Sequence, residues 1–377
     1  MRKKHLLRWA LTLSVAAMGL AALLASLQRD SRALAERNRA ALSTPAPQSS
    51  FLYRFDSISQ TFFTLTLPIG SVPYGVAVTG TNPTHVWVPE YGKNQIGHLV
   101  YTDATHYDWT EYPVTTTANS GPFRIAVNGN DVWFTEQGAN RVGRLDATAG
   151  EITEFSGHGL SPNSGLADIR VAPIGWVWVA AQSSNHLARL VVTSTTDYDF
   201  YEYSHPSMTG IFGVAVESNE SIWYASPSAH QIAKLDVVQG QVVGDPSAFY
   251  GDVLPTEVAI AAPYAWYSDW QRNAIGQIEI GTFAIGNEYT TASRPSGLAL
   301  GSASVPIQLW YTQQDEQGAV GRFTYTSTVS TSFDSFPLPT QGLRPTGIAV
   351  AADQSIWLTA FAPVRVFLPV VLKSYPG

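Results

Sequence analysis

GPFRIAVNGNDVWFTEQGANRVGRLDATAGEITEF, residues 121 to 155, holds four short runs (FRIAV, DVWFTE, RVGRL, EITEF) rich in β-branched and aromatic residues. Between them lie NGN, QGAN and DATAG, clusters of residues that tolerate tight-turn geometry, so the stretch reads as four antiparallel strands joined by hairpins. The unit recurs. Trp87, Trp133, Trp178, Trp223, Trp266, Trp310 and Trp357 follow one another at intervals of 43 to 47 residues. Each is preceded by an apolar run (YGVAV, FRIAV, ADIRV, FGVAV, TEVAI, SGLAL, TGIAV), and most are followed by a second (NQIGHL, NRVGRL, NHLARL, HQIAKL, NAIGQI, AVGRF). Four strands per period of about 40–50 residues is the signature of a β-propeller, in which each blade buries its faces only by stacking on neighbours. The expected fold is therefore all-β: a seven-bladed β-propeller of four-stranded antiparallel blades, with the tryptophans filling the space between blades.

Outward from the repeat, the ends of the chain explain each other. The last unit carries only its first two strands, and YRFDSISQTFFTLTLP at residues 53 to 68 matches the missing outer pair, so the last blade is expected to combine strands from both termini. This bounds the propeller at 51–361. Residues 29–50 are polar, then rich in Ala, Ser and Pro, and read as a linker. In segment 1–28, Arg2, Lys3, Lys4 and Arg8 precede an uncharged run from Trp9 to Leu27, a signal peptide or an uncleaved signal anchor that makes an N-terminal membrane tether. The basic flank is the positive-inside arrangement, so an extracellular or cell-surface location is expected. Residues 362–377 form an apolar C-terminal tail that resembles sorting or surface-retention tails of secreted bacterial proteins; a plain edge strand is the alternative.

Composition narrows the function classes. Net charge is −7, with no basic cluster beyond the N-terminus, which excludes a nucleic-acid partner. There are no cysteines, hence no disulfide, thiolate metal site or Cys nucleophile. G-x-S-x-G, Walker, H-E-x-x-H and EF-hand motifs are absent, and the histidines are scattered. A monomer is expected.

The candidate site is the central funnel, where innermost strands begin and the loops between second and third strands converge. Four innermost strands begin with Gly75, Gly213, Gly297 and Gly347, whereas Arg124, Asp168 and Glu257 take that place in the others. The loops VPEYGKN, FTEQGAN and YSDWQRN place Glu90, Glu136 and Asp269 at equivalent positions, with Glu316 nearby in a longer loop. A second loop position carries Asn94, Asn140, Asn185, His230 and Asn273; Asn suits a tight turn, and His230 is the one titratable member. Arg124, Asp168, Glu257, Glu90, Glu136 and Asp269 are expected to form a polar, mainly acidic funnel able to hold Mg²⁺ or Ca²⁺ through oxygen ligands. Alternatively, Arg124 and Asp168 neutralise each other as an ion pair.

The unit at residues 121–155 closely resembles a repeat of the virginiamycin B lyase (streptogramin lyase) family, carried by its WFTE-x-x-x-N-x-(I/V)-G-R core; the resemblance extends more weakly over 53–361. It implies a seven-bladed propeller that opens a cyclic depsipeptide by elimination, with a base removing a proton and Mg²⁺ stabilising the enolate. The family's site uses histidines with a Glu-x-His pair in late blades. This chain has no Glu-x-His, its late loops SDWQRN and TQQDEQG carry no histidine, and His230 is the nearby candidate base, so no catalytic residue carries over. Three functions follow: an extracellular module binding a small ligand, glycan or peptide, for which Trp109, Trp176 and Trp270 offer stacking surfaces; a metal-assisted lyase or hydrolase; and a structural surface protein.

Overall fold

The computed structural model describes residues 49–362 apart from 239–240, 244–247, 250–252, 316 and 329. The signal or anchor segment, most of the linker, nearly all of the tail and Glu316 lie outside the described residues. The described chain forms seven antiparallel sheets of four strands, one of them with an added short strand (Ala248–Phe249). Blade one comprises Ala77–Thr79, Thr84–Glu90, Gln95–Asp103 and His106–Pro113. The next five begin at Pro122, Leu166, Val214, Pro255 and Pro295. Blade seven takes its inner strands, Arg344–Val350 and Ile356–Phe361, from the C-terminal side and its outer strands, Ser50–Asp56 and Thr61–Thr66, from the N-terminal side. Pairing of Phe51 with Ala360 and Tyr53 with Leu358 closes the ring, as expected from the split repeat.

The seven tryptophans are buried, and each packs against the following blade. Trp87 meets Ile125, Val132 and Phe134; Trp223 meets Val258, Ala265 and Tyr267; Trp357 meets Val76, Val86 and Val88 across the closure. Directly opposite each tryptophan, on the neighbouring third strand, stands His98, Arg144, Arg189, Lys234, Gln277, Arg322 or Arg54. The Arg144, Arg189 and Arg322 guanidinium groups lie 5.5 to 5.7 Å from the centroid of their indole, within cation–π range. His98 stacks flat on Trp87 at 3.6 Å, and burial holds its imidazole down to about 4, so it sits there uncharged. The long polar side chains thus cover the tryptophan with their stems and keep their heads near water.

Innermost strands are irregular where they enter the channel. Register shifts fall between Pro122 and Ile125, Leu166 and Ile169, Pro255 and Val258, Pro295 and Leu298, and Pro345 and Ile348. A bulge of this kind re-aims side chains. Four are pinned by a second-strand hydroxyl that accepts the freed amide: Thr135 from Arg124, Ser268 from Glu257, Thr312 from Gly297 and Thr359 from Gly347.

Candidate functional site

At the entry to the channel each blade presents two consecutive residues, which lie within the bulge in five blades and just ahead of the innermost strand in blades one and four. The first members Tyr74, Phe123, Phe212, Thr256, Ser296 and Thr346 line an outer cavity; the second members Gly75, Arg124, Asp168, Glu257, Gly297 and Gly347 line the channel, and with Gly213, which approaches Glu257, they make the inner ring. The glycines are sites of close approach. A Cβ on Gly347 would stand 2.6 Å from the backbone of Gly75, and one on Gly213 would stand 2.4 Å from the Thr256 carbonyl.

Outside the inner ring lies a cup of about 330 Å³ walled by Tyr74, Phe123, Phe212, Leu254 and Trp270, with Arg124 at its floor. Tyr74 and Phe123 pack at 4.8 Å between ring centroids, and the exposed Arg294 covers Trp270 at 4.3 Å. The hydroxyls on the opposite wall are committed to the frame: Thr256 donates to the Ser296 carbonyl and Thr346 to the Pro73 carbonyl. Gln314 donates its amide to the Pro345 carbonyl. The cup therefore offers a ligand mostly apolar wall and one cation. Below the inner ring the channel continues as a cavity of about 480 Å³ lined by Arg124, Asp168, Arg170, Glu257 and the aliphatic residues of the inner strands.

The inner ring carries a balanced charge network rather than an acidic funnel. Arg124 of blade two reaches Glu257 of blade five at 2.9 Å. Arg170, two residues after Asp168 on the same strand, contacts Asp168 at 2.5 Å and Glu257 at 3.5 Å. The second Asp168 oxygen accepts the Val214 amide at 2.9 Å. The expected Arg124–Asp168 pair is thus replaced: Arg124 takes Glu257, and Asp168 takes Arg170. Sequence reasoning missed Arg170 although it stands in the same ADIRV run two residues after Asp168, where strict alternation already places the two on one face of the strand; that spacing was the signal that could have found it. Glu257 is 2% exposed; burial pushes its carboxyl up, against the pull of Arg124 and Arg170 and with the help of neighbouring Asp168. The Arg124 guanidinium lies 5.7 and 5.4 Å from the Phe123 and Phe212 ring centroids, and its Nε finds no hydrogen-bond partner.

The other expected funnel residues sit elsewhere. Glu90 is buried within blade one, where it accepts from Ser71 and Gln95, and burial pushes it up to about 7. Glu136 is its counterpart in blade two, pushed up to about 8 by burial and by Glu154. Asp269 caps a turn, accepting amides from Leu254, Gln271 and Arg272. None of the three lines the cup or the channel. Among the described residues no group of three or more His, Asp and Glu is placed to hold a metal ion. His230 occupies the left-handed turn position with φ 55, as Asn94, Asn140, Asn185 and Asn273 do in their own blades. Its Nδ1 donates to the Val253 carbonyl at 2.6 Å, as the Asn94 amide does to Val114. Of the three additional tryptophans, Trp270 lines the cup, Trp176 stacks on Arg189, and Trp109 packs over Gly97.

The chain shares its fold with solved lyases. A streptogramin B lyase structure superposes with a TM-score of 0.65 at 22% identity, covering 83% of this chain and 97% of that one. Virginiamycin B lyase from Staphylococcus aureus gives 0.64 at 20% identity, covering 84% and 100%. A putative 6-phosphogluconolactonase from Bacteroides uniformis gives 0.58 at 12% identity, covering 78% and 98%. No characterised protein matches significantly by sequence alone. The virginiamycin B lyase family matches residues 108–367, well over half of the chain, and the protein belongs to that family.

Proposed function

We propose that this protein is an exported, monomeric binding propeller that takes a small amphipathic ligand into the cup. The observation that carries this reading is the cup's composition: aromatic and aliphatic walls converging on one guanidinium whose Nε has no partner, with surrounding hydroxyls already used to join blades. Concave, largely apolar sites with few placed polar groups are the usual form of small-molecule sites, and the cup falls within their size range. The charge-free run from Trp9 to Leu27 behind a basic flank supports export, with a membrane tether if it is retained. Thermal-shift titration of residues 49–362 against small aromatic and aliphatic compounds tests the site. Ligands that stabilise the protein are expected to lose that effect in Trp270→Ala. Stabilisation unchanged by Trp270→Ala and by Arg124→Gln sinks the reading.

Family membership favours a second reading, a Mg²⁺-dependent lyase acting on a cyclic depsipeptide. Its chemistry requires a base and a cation site, and the carboxylates of the inner ring are each engaged by arginine. Incubation with a type B streptogramin and Mg²⁺, followed by chromatography and mass, decides it. Elimination opens the ring without mass change, hydrolysis adds one water, and an intact substrate retires the activity.

A further inference from the structure

The geometry points to a carboxylate as the polar end of the cup's ligand, bound by Arg124 with uptake of one proton by Glu257. This rests on the cup being the binding site. The guanidinium stands at the boundary of cup and channel, lining both. On the channel side it meets Glu257 at 2.9 Å, while its Nε has no partner. A planar carboxylate is the group whose two oxygens match a guanidinium fork, and an apolar molecule ending in one carboxylate matches apolar walls around one cation.

Binding then creates a deficit below. As found, two arginines and two carboxylates cancel: Arg124 and Arg170 against Asp168 and Glu257. A ligand carboxylate adds a third negative charge and competes for the guanidinium that faces Glu257. Asp168 keeps its partners, Arg170 at 2.5 Å and the Val214 amide at 2.9 Å. Glu257 is left with Arg170 at 3.5 Å. Among the described residues no charged side chain besides Arg124, Arg170 and Asp168 faces it: blade four presents Gly213, blade six Gly297, blade seven Gly347 and blade one Gly75, and its own blade contributes Ser268, whose hydroxyl already accepts the Glu257 amide. Arg294, the next cation on the cup face, stacks on Trp270 at the rim. A buried carboxylate deprived of its counter-charge is relieved by protonation. Burial already biases Glu257 in that direction.

The sign follows. If binding raises the proton affinity of Glu257, protons are taken up on binding, and affinity rises as pH falls. Free carboxylate ligands stay ionised above about pH 5, so the dependence belongs to the protein. Over the range in which unliganded Glu257 is ionised and liganded Glu257 is not, Kd weakens by roughly tenfold per pH unit.

Calorimetric titration tests this with N-acetyl-phenylalanine, N-acetyl-tryptophan and N-acetyl-leucine, each beside its neutral carboxamide, from about pH 6 to about pH 9 and in buffers of differing ionisation heat. The expected result is binding of at least one acid and not of its amide, uptake of close to one proton, and pH-independent binding in Glu257→Gln that is at least about tenfold tighter than wild type at the alkaline end. The buffer comparison uses the unaltered protein and so stands if Glu257→Gln fails to fold. Acids that bind with no proton uptake overturn the linkage and leave the cup reading intact. Amides that bind as well as acids overturn the carboxylate assignment. Failure of every acid and amide to bind overturns the cup reading itself.

Discussion

Glu136 shows what single side chains in this fold endure. It lies buried at the end of a second strand, and its carboxyl is pushed up to about 8 by burial first and Glu154 second. An acid whose folded value is raised holds its proton in the fold over a range where the unfolded chain has lost it. Its contribution to stability is full below the ordinary Glu value and is lost as pH rises towards about 8. Glu136→Gln, which keeps shape and removes the charge, is therefore expected to match wild type near pH 4 and exceed it by on the order of 1–3 kcal/mol near pH 9 in urea denaturation. Equal stability of the two proteins at high pH would contradict this. At the same scale, Arg124→Gln leaves Glu257 buried without its nearer guanidinium, and a cost of about 1–3 kcal/mol at neutral pH is expected, below the usual price of breaking a buried pair because Glu257 can take a proton. The identities of Arg124, Asp168 and Glu257 at the channel mouth were legible in the sequence, since they break a run of glycines at one repeat position. Their pairing was not, because Arg124 and Glu257 come from blades two and five and meet only across the axis. Glu90, Glu136 and Asp269 were misplaced for a related reason. Equivalent loop positions show that residues share an environment, and here that environment is the interior of each blade.

The recurring element is a strand start held in a bulge by one hydroxyl. Thr359 accepts the Gly347 amide at 3.1 Å, and Thr135, Ser268 and Thr312 do the same in their blades. Thr359→Val keeps the shape and strands a buried amide, so a loss of about 1–3 kcal/mol is expected, with Thr359→Ser restoring most of it. If valine is neutral in thermal denaturation, the hydroxyl does not hold the bulge. The strands themselves were readable from alternation and turn residues, including the left-handed position filled by Asn94, Asn140, Asn185, His230 and Asn273. The bulges were hidden, since each one-residue slip leaves the apolar pattern on either side intact. The partners of the tryptophans were visible in the third-strand runs GHL, GRL, ARL, AKL and GQI, yet their role as covers over the indoles emerges only from strand register.

For the whole molecule, closure through blade seven makes stability depend on both ends of the repeat region. Ile356–Phe361 is buried throughout and pairs with Ser50–Asp56. Deleting residues up to 67 exposes that edge along with Trp357 and Leu358, and the truncated chain is expected to lose its cooperative thermal transition and to aggregate on size-exclusion chromatography. A monomeric truncation with an unchanged transition would mean the seam adds little. Ring closure was legible because the missing half-repeat stands at the opposite end of the sequence. The function was less so, because the family's fold carries over while the inner-ring residues of this chain pair with one another. The cup above Arg124 is proposed as the place where this propeller binds its ligand. A crystal structure grown with N-acetyl-tryptophan tests it most directly. The indole is expected against Tyr74, Phe123, Phe212 and Trp270, with the carboxylate in hydrogen-bond contact with Arg124. A ligand seated at an outer blade edge, with the cup holding only solvent, would contradict it.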